Sequence, residues 1–213
     1  MTRMFSALFA FLILIPFLHA ADSGDESKPV PAAGTKTDLM RLINPQRDCV
    51  TGTWGFTENA LQGKVKGQDR PWLQIPTKVP DEYDFKMVFE GTNKMEILQF
   101  FTHGGKGYTF TMNPKGAGSC ALPRMNRNDG PRPVEAHLPA ITPNVKHSSL
   151  IQVRNDSVKV FFDGALVMDV TTDYSGYDPA HGFNHKNVDD KAIGAGSNSG
   201  SILIYDLTLT AVK

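Results

Sequence analysis

The chain has 213 residues, with 22 Lys and Arg balanced by 22 Asp and Glu, so its formal charge is zero. Such a balance supplies no electrostatic pull toward nucleic acid or an anionic membrane and argues against both as partners. The length suits one domain with a core of ordinary size.

Residues 1–20 have the pattern of an export leader. Arg3 supplies the basic start, residues 5–18 form an apolar run broken by Pro16, and Ala20 and Ala21 offer a cleavage site. The alternative is an uncleaved anchor, but the run is shorter than the roughly 20 residues a bilayer span needs. Nothing else in the sequence is long and apolar enough to cross a membrane, so a secreted, periplasmic or extracellular product is expected. Losing Arg3 leaves 21 basic against 22 acidic residues, a charge of −1.

Residues 21–37 are rich in Pro, Ala, Ser and charge and predict a disordered linker, so the folded domain is expected to span residues 38–213. Residues 38–43 predict a short helix and residues 48–56 a first strand. Tyr83, Phe85, Met87 and Phe89 alternate with polar neighbours, the mark of a half-buried strand. Residues 94–102 and 108–112 predict a hairpin whose glycine-rich loop, over residues 104–107, is longer than the tightest type. The pattern then dissolves into a proline-rich loop over residues 113–143.

Strands are expected again at residues 147–154, 158–162 and 165–170. Asp163-Gly164 between the last two is a strong turn signal, because both positions need positive φ. Residues 171–191 predict another loop, followed by strands at 192–195 and 201–212. In the last of these, Leu203, Tyr205, Leu207 and Leu209 are read as the inner face, with Ile204 as an outward exception. Short strands at this spacing predict an all-β sandwich. Cys49 and Cys120 are expected to form a bridge in an oxidising compartment, the alternative being two buried free thiols.

The order of several short signatures resembles the secreted bacterial domains of the concanavalin A-like lectin/glucanase superfamily. These are Gly52-Thr53-Trp54, Leu73-Gln74-Ile75-Pro76, Asp81-Glu82-Tyr83-Asp84, Gln152-Val153-Arg154, Asp163-Gly164, Asp173-Tyr174-Ser175 and Ile193-Gly194-Ala195-Gly196. The branch resembled is that related to the 3-keto-disaccharide hydrolase domain, with likeness also to laminin G-like modules. This resemblance covers about residues 38–213. It implies a jelly roll of two curved antiparallel sheets, with a carbohydrate site on the concave face or in adjacent loops. The Glu-x-Asp-x-x-Glu strand of the family's glucanases is absent.

The residues themselves offer three kinds of chemistry. Glycoside hydrolysis needs two carboxyl groups flanking one bond. Glu90 and Glu96 would lie on neighbouring strands if residues 83–90 pair with 95–102, and Asp173 joins them in an enzymatic reading. The bland alternative is that they are solvated charges.

Sugar binding needs an aromatic platform and a few placed polar groups. Trp72, Gln99, His103, Tyr108, Arg124 and Tyr174 are the candidates, whereas Trp54 is read as core. Metal binding could draw on His181, His185, Asp189 and Asp190. Gly182 argues against the helix the two histidines would need, and calcium held by carbonyls and Asp suits this loop better than a transition metal. No cofactor is otherwise implied. There is no phosphate-binding glycine loop in strand–helix context and no Gly-x-Ser-x-Gly elbow. Asn155-Asp156-Ser157 matches a glycosylation sequon in a turn.

The reading these features support is a secreted module that binds carbohydrate or a cell-envelope glycan without cleaving it. The alternatives are a glycoside or 3-keto-disaccharide hydrolase and a structural or adhesion domain of the envelope.

Overall fold

Alternating apolar and polar side chains along much of this chain become strands. The computed structural model describes residues 30–91, 95–113, 116, 118–122, 134–175, 189 and 191–212. In chain order its strands are β1 (Lys36–Asp38), β2 (Cys49–Thr51), β3 (Thr53–Phe56), β4 (Leu61–Lys64), β5 (Trp72–Ile75), β6 (Tyr83–Gly91), β7 (Ile97–His103) and β8 (Lys106–Met112). Then follow β9 (Ser119–Leu122), β10 (Val134–His137), β11 (Lys146–Val153), β12 (Ser157–Phe162), β13 (Ala165–Thr171), β14 (Ile193–Ser197) and β15 (Ile202–Ala211).

The strands form two antiparallel sheets. One has eight strands in the order β13-β12-β11-β6-β15-β4-β3, with β1 also paired to β15. The other has seven, ordered β10-β9-β8-β7-β14-β5-β2. The predicted all-β jelly-roll sandwich of two antiparallel sheets is the observed architecture.

The core lies between the sheets. From the eight-stranded sheet come Tyr83, Phe85, Met87 and Phe89 on β6, Ile151 and Val153 on β11, and Val158, Val160 and Phe162 on β12. They meet Ile97 and Phe101 on β7 and Tyr108, Phe110 and Met112 on β8. Burying each large apolar side chain contributes about 1.5–3 kcal/mol before entropy is counted. Two polar links join the layers. Gln99 Nε2 donates to the Phe85 carbonyl at 3.0 Å, and the Ser149 hydroxyl donates to Gln99 Oε1. The Tyr83 hydroxyl donates to Thr102 O at 2.8 Å and accepts from Thr102 N–H at 2.9 Å.

Several expectations are corrected. Residues 36–38 form β1 against β15, so order starts inside the expected linker, and residues 39–42 form a 3-10 turn capped by Asp38 where a short helix was expected. The expected first strand is two strands in different sheets. Gly52, at φ +77°, turns the chain from β2 to β3, and a Cβ there would lie 2.7 Å from Pro71 Cα.

The β7–β8 hairpin closes in two residues, Gly104 and Gly105, both at positive φ, with His103 paired to Lys106. That is the tightest type of hairpin loop, made possible by two residues without a Cβ penalty. Within the expected 113–143 loop, β9 and β10 extend the seven-stranded sheet.

A bulge between Ile204 and Asp206 shifts the phase of β15. Ile202 and Ile204 therefore share the inner face with Leu207, Leu209 and Ala211, while Leu203 and Tyr205 turn outward. The strongest expectations hold: β11, β12 and β13 fall where they were read, and Asp163 (φ 47°) and Gly164 (φ 81°) make the β12–β13 turn.

The expected disulfide is absent; both cysteines are free. Cys49 on β2 and Cys120 on β9 are separated by β8, β7, β14 and β5 in their sheet. Five steps at the usual inter-strand spacing amount to about 24 Å, far beyond the roughly 7 Å between Cα atoms that a bridge allows.

Candidate functional site

A cavity arises from a mismatch in strand length. β14 begins at Ile193, opposite Ile75 of β5, and its Gly194 pairs with Phe100 of β7. β7 runs on to His103 with only β8 beside it, so the N–H and C=O of Thr102 on the β14 side have no strand to meet. Tyr83 takes both from the opposite sheet. On the far side Pro76, which has no N–H, ends β5.

The space left between these ends is a cavity of about 510 Å³, within the size range of small-ligand sites. Its walls include the 76–81 loop, Thr102, His103, Gly104, Gly105, Asp189 and Lys191. No heavy atom lies within 4 Å of where a Cβ would stand on Gly104 or Gly105, so the hairpin tip leaves its side of the cavity open.

His103 is the half-buried aromatic of this wall. Its ring stacks on Tyr174, with centroids 3.9 Å apart and planes at 22°, and its Nδ1 lies 3.3 Å from the carbonyl oxygen of Asp81. Tyr174, at φ 58°, is in turn fixed by its hydroxyl, which donates to Arg154 O at 2.7 Å and contacts Ser157 O at 3.1 Å. Tyr108 meets Tyr174 edge-on at 5.5 Å and stacks on Phe101 at 5.3 Å. Burial pushes the phenols of Tyr83 and Tyr174 well above their ordinary range, so both stay protonated donors. A second, smaller cavity of about 360 Å³ adjoins across Pro76 and Asp189 and includes Arg47, Asp48, Cys49 and Gln74. There the Gln74 amide exchanges two hydrogen bonds with the backbone of Asp189.

The structure thus brings together three of the six sugar-binding candidates, His103, Tyr108 and Tyr174, but as a packed column. Tyr108 is 1% exposed and Tyr174 6%, leaving His103 at the cavity surface. Gln99 is fully buried between the sheets, closed to any ligand. Trp72 stands at the opposite end of β5 from the cavity, half-buried, edge-on to Phe100 at 5.7 Å. It lies across Gly196, where a Cβ would come within 2.8 Å of its ring. Arg124 lies outside the described residues. Trp54 is core, as read, and donates its Nε1–H to Trp72 O.

The carboxylate pairing expected for hydrolysis is not formed. β6 pairs with β11 and β15, not with β7, so Glu90 sits in the eight-stranded sheet while Glu96 lies just ahead of β7, a strand of the other sheet. Glu90 accepts from the Tyr205 hydroxyl at 3.0 Å on the outer face of the eight-stranded sheet, and Glu96 accepts from Asn198 Nδ2 at 2.8 Å. Asp173 accepts from Ser175 N–H at 2.8 Å, and the hydrogen bonds from Ser175 hold its carboxyl below the ordinary carboxylate range. A carboxyl held ionised in this way is a poor proton donor.

Of the metal candidates, His181, His185 and Asp190 lie outside the described residues, and among the described residues no cluster of three ligating side chains occurs. Reading the sequence missed Asp81 and Lys191 as cavity residues. The only local signals were the flanking Pro76 and Pro80, which interrupt the strand pattern without saying what the loop encloses.

No family model matches this sequence, and no curated protein does. Solved structures do resemble the fold. The carbohydrate binding module CBM66 from Bacillus subtilis aligns with a TM-score of 0.54 at 16% identity, covering 86% of this chain and all of its own. A Bacillus subtilis protein of unknown function with a galectin-like fold gives 0.59 at 12% identity, over 85% of this chain and 97% of that one. The carbohydrate recognition domain of Emp46p, in its metal-free form, gives 0.55 at 10% identity, over 83% and 96%. The chain has the galectin-like, concanavalin A-like jelly-roll fold.

Proposed function

We propose that this protein is an exported, non-catalytic carbohydrate-binding module whose ligand occupies the cavity at the end of β7 and β14. The observation that carries the reading is that cavity itself. It joins an apolar wall of Pro76, Val79 and Pro80 to the polar side chains of Asp81, His103 and Lys191. Sugars need that combination, because their C–H faces seek apolar surface while their hydroxyls need placed partners. Two of the similar structures are named for carbohydrate binding, and this chain spans 96–100% of their length. The separation of Glu90 from Glu96 supports binding over cleavage.

Affinity electrophoresis on neutral and acidic polysaccharides, with a glycan array, tests this. Retention on at least one glycan is expected, weakened tenfold or more by His103→Ala; a protein that migrates freely through every polysaccharide would overturn it. Kinship with 3-keto-disaccharide hydrolases would instead give turnover of a keto-disaccharide, and no product is expected on prolonged incubation. Retention should survive a chelator, since no metal is assigned to the site. Export is read from the leader, and intact-mass analysis of cell fractions should find the chain outside the cytoplasm, shortened near residue 20. The natural partner is then a glycan of the cell envelope or its surroundings.

A further inference from the structure

We infer that the cavity at the end of β7 and its smaller neighbour are two subsites of one cleft, which takes an uncharged chain of sugars across both rather than a single ring; this deepens, and rests on, the carbohydrate reading above. Pro76 and Asp189 line both cavities, so the two spaces meet at a shared sill. Strand order sets the length of the cleft. On one rim of the seven-stranded sheet β7 ends, β14 begins, β5 ends and β2 begins, side by side in that order. His103 stands at the β7 end of this row and Cys49 at the β2 end, and each lines its own cavity. Three steps at the usual inter-strand spacing amount to about 14 Å, which is longer than one sugar ring.

The sill is fixed in advance. Beyond Gln74 the backbone of β5 runs into Pro76, and the Gln74 side-chain amide takes over the pairing with the approach to β14. Its Nε2 donates to Asp189 O at 2.9 Å, and its Oε1 accepts from Asp189 N–H at 3.1 Å. Asp189 holds the next residues in turn, accepting from Lys191 N–H at its carboxylate and from Ala192 N–H at its carbonyl. A ligand lying across the sill therefore meets backbone already in place, which lowers the ordering cost of binding. On the far side stands Arg47, whose Nε and Nη2 hold the Asp48 carboxylate at 2.6 and 3.0 Å. That pair cancels its own charge, and Lys78 and Lys191 of the larger cavity are balanced by Asp81 and Asp189. Charges balanced along the whole row give no net pull on an anionic or cationic chain.

Calorimetric titration of the full chain tests the cleft, with cellulose, starch, laminarin and xylan as the polysaccharides and their fragments of one to five sugar units as probes. In a series that binds, affinity should rise tenfold or more from the single sugar to the trisaccharide. Arg47→Ala should bring that ratio close to one. Because this change also strips the buried Asp48 of its partner, Ala192→Phe, which fills the smaller cavity and leaves the Arg47–Asp48 pair alone, should do the same. Equal affinity for the single sugar and the trisaccharide, a full gain with length in Ala192→Phe, or retention on acidic polysaccharides alone would overturn the inference and leave the carbohydrate reading standing. Free migration of the unaltered protein through every polysaccharide would remove that reading and the inference with it.

Discussion

Gln99 puts an amide into an interior otherwise made of rings and aliphatic chains, and every polar atom it brings is used. Its Nε2–H meets the Phe85 carbonyl and its Oε1 takes the Ser149 hydroxyl proton. Gln99→Leu keeps the volume but strands both partners in a dry place, so a loss of about 1–3 kcal/mol is expected in a urea titration with unchanged slope. An unmoved midpoint would show that the two groups find other partners.

The thiols make a second test at this scale. Burial raises Cys49 and pushes Cys120 up to about 11, so both are protonated and slow to react in the native protein at neutral pH. A thiol reagent should titrate two groups after unfolding and almost none before, and reduction should leave the intact mass unchanged. Because Cys120 holds its proton more firmly folded than unfolded, its contribution is complete below pH 9. It is lost as pH rises toward 11, which Cys120→Ala should blunt.

Among the elements, the turns decide where the sheets part company. Gly52 is the corner between them, and Gly52→Ala meets both a disfavoured φ and the backbone of Pro71, with no flexible side chain to give way. A cost of about 2 kcal/mol or more is expected from strain of that kind, measurable as a lowered melting temperature. At the β12–β13 turn, Asp163 accepts from Ser148 N–H at 2.7 Å and pairs with the buried His147 at 2.8 Å. Its replacement by Ala should cost about 1–3 kcal/mol.

Strands such as β6, β11 and β12 were legible because one face is buried and the other solvated, which writes period two into the sequence. β7 was harder, since Leu98, Phe100 and Thr102 on its outer side are as buried as Ile97 and Phe101. The bulge at Tyr205 left no mark, because Leu203, Ile204 and Tyr205 are all acceptable on either face. The site was legible only in His103. Its companions Asp81 and Lys191 are some hundred residues apart in sequence and meet because β5, β7 and β14 end at one rim, a fact of topology that no local pattern encodes.

For the molecule as a whole, the decisive fact is that the last strands in sequence are central in space. β14 stands between β7 and β5, and β15 between β6 and the pair β4 and β1. A protein shortened after Gly200 would lose β15, leave β6, β4 and β1 without their shared partner, and expose Phe85, Met87 and Phe89 on β6. It should show no cooperative melt and little dispersion in its amide spectrum; a native-like melt would contradict this arrangement. Under the export proposed above, the same arrangement would set a timetable for the chain. Neither layer can close on the ribosome until residues 193–211 have emerged, so most of the polypeptide stays open and threadable during synthesis. Passage through a narrow translocation pore, as the proposed export demands, would require that state, and the jelly roll would postpone its own completion until the journey was nearly over.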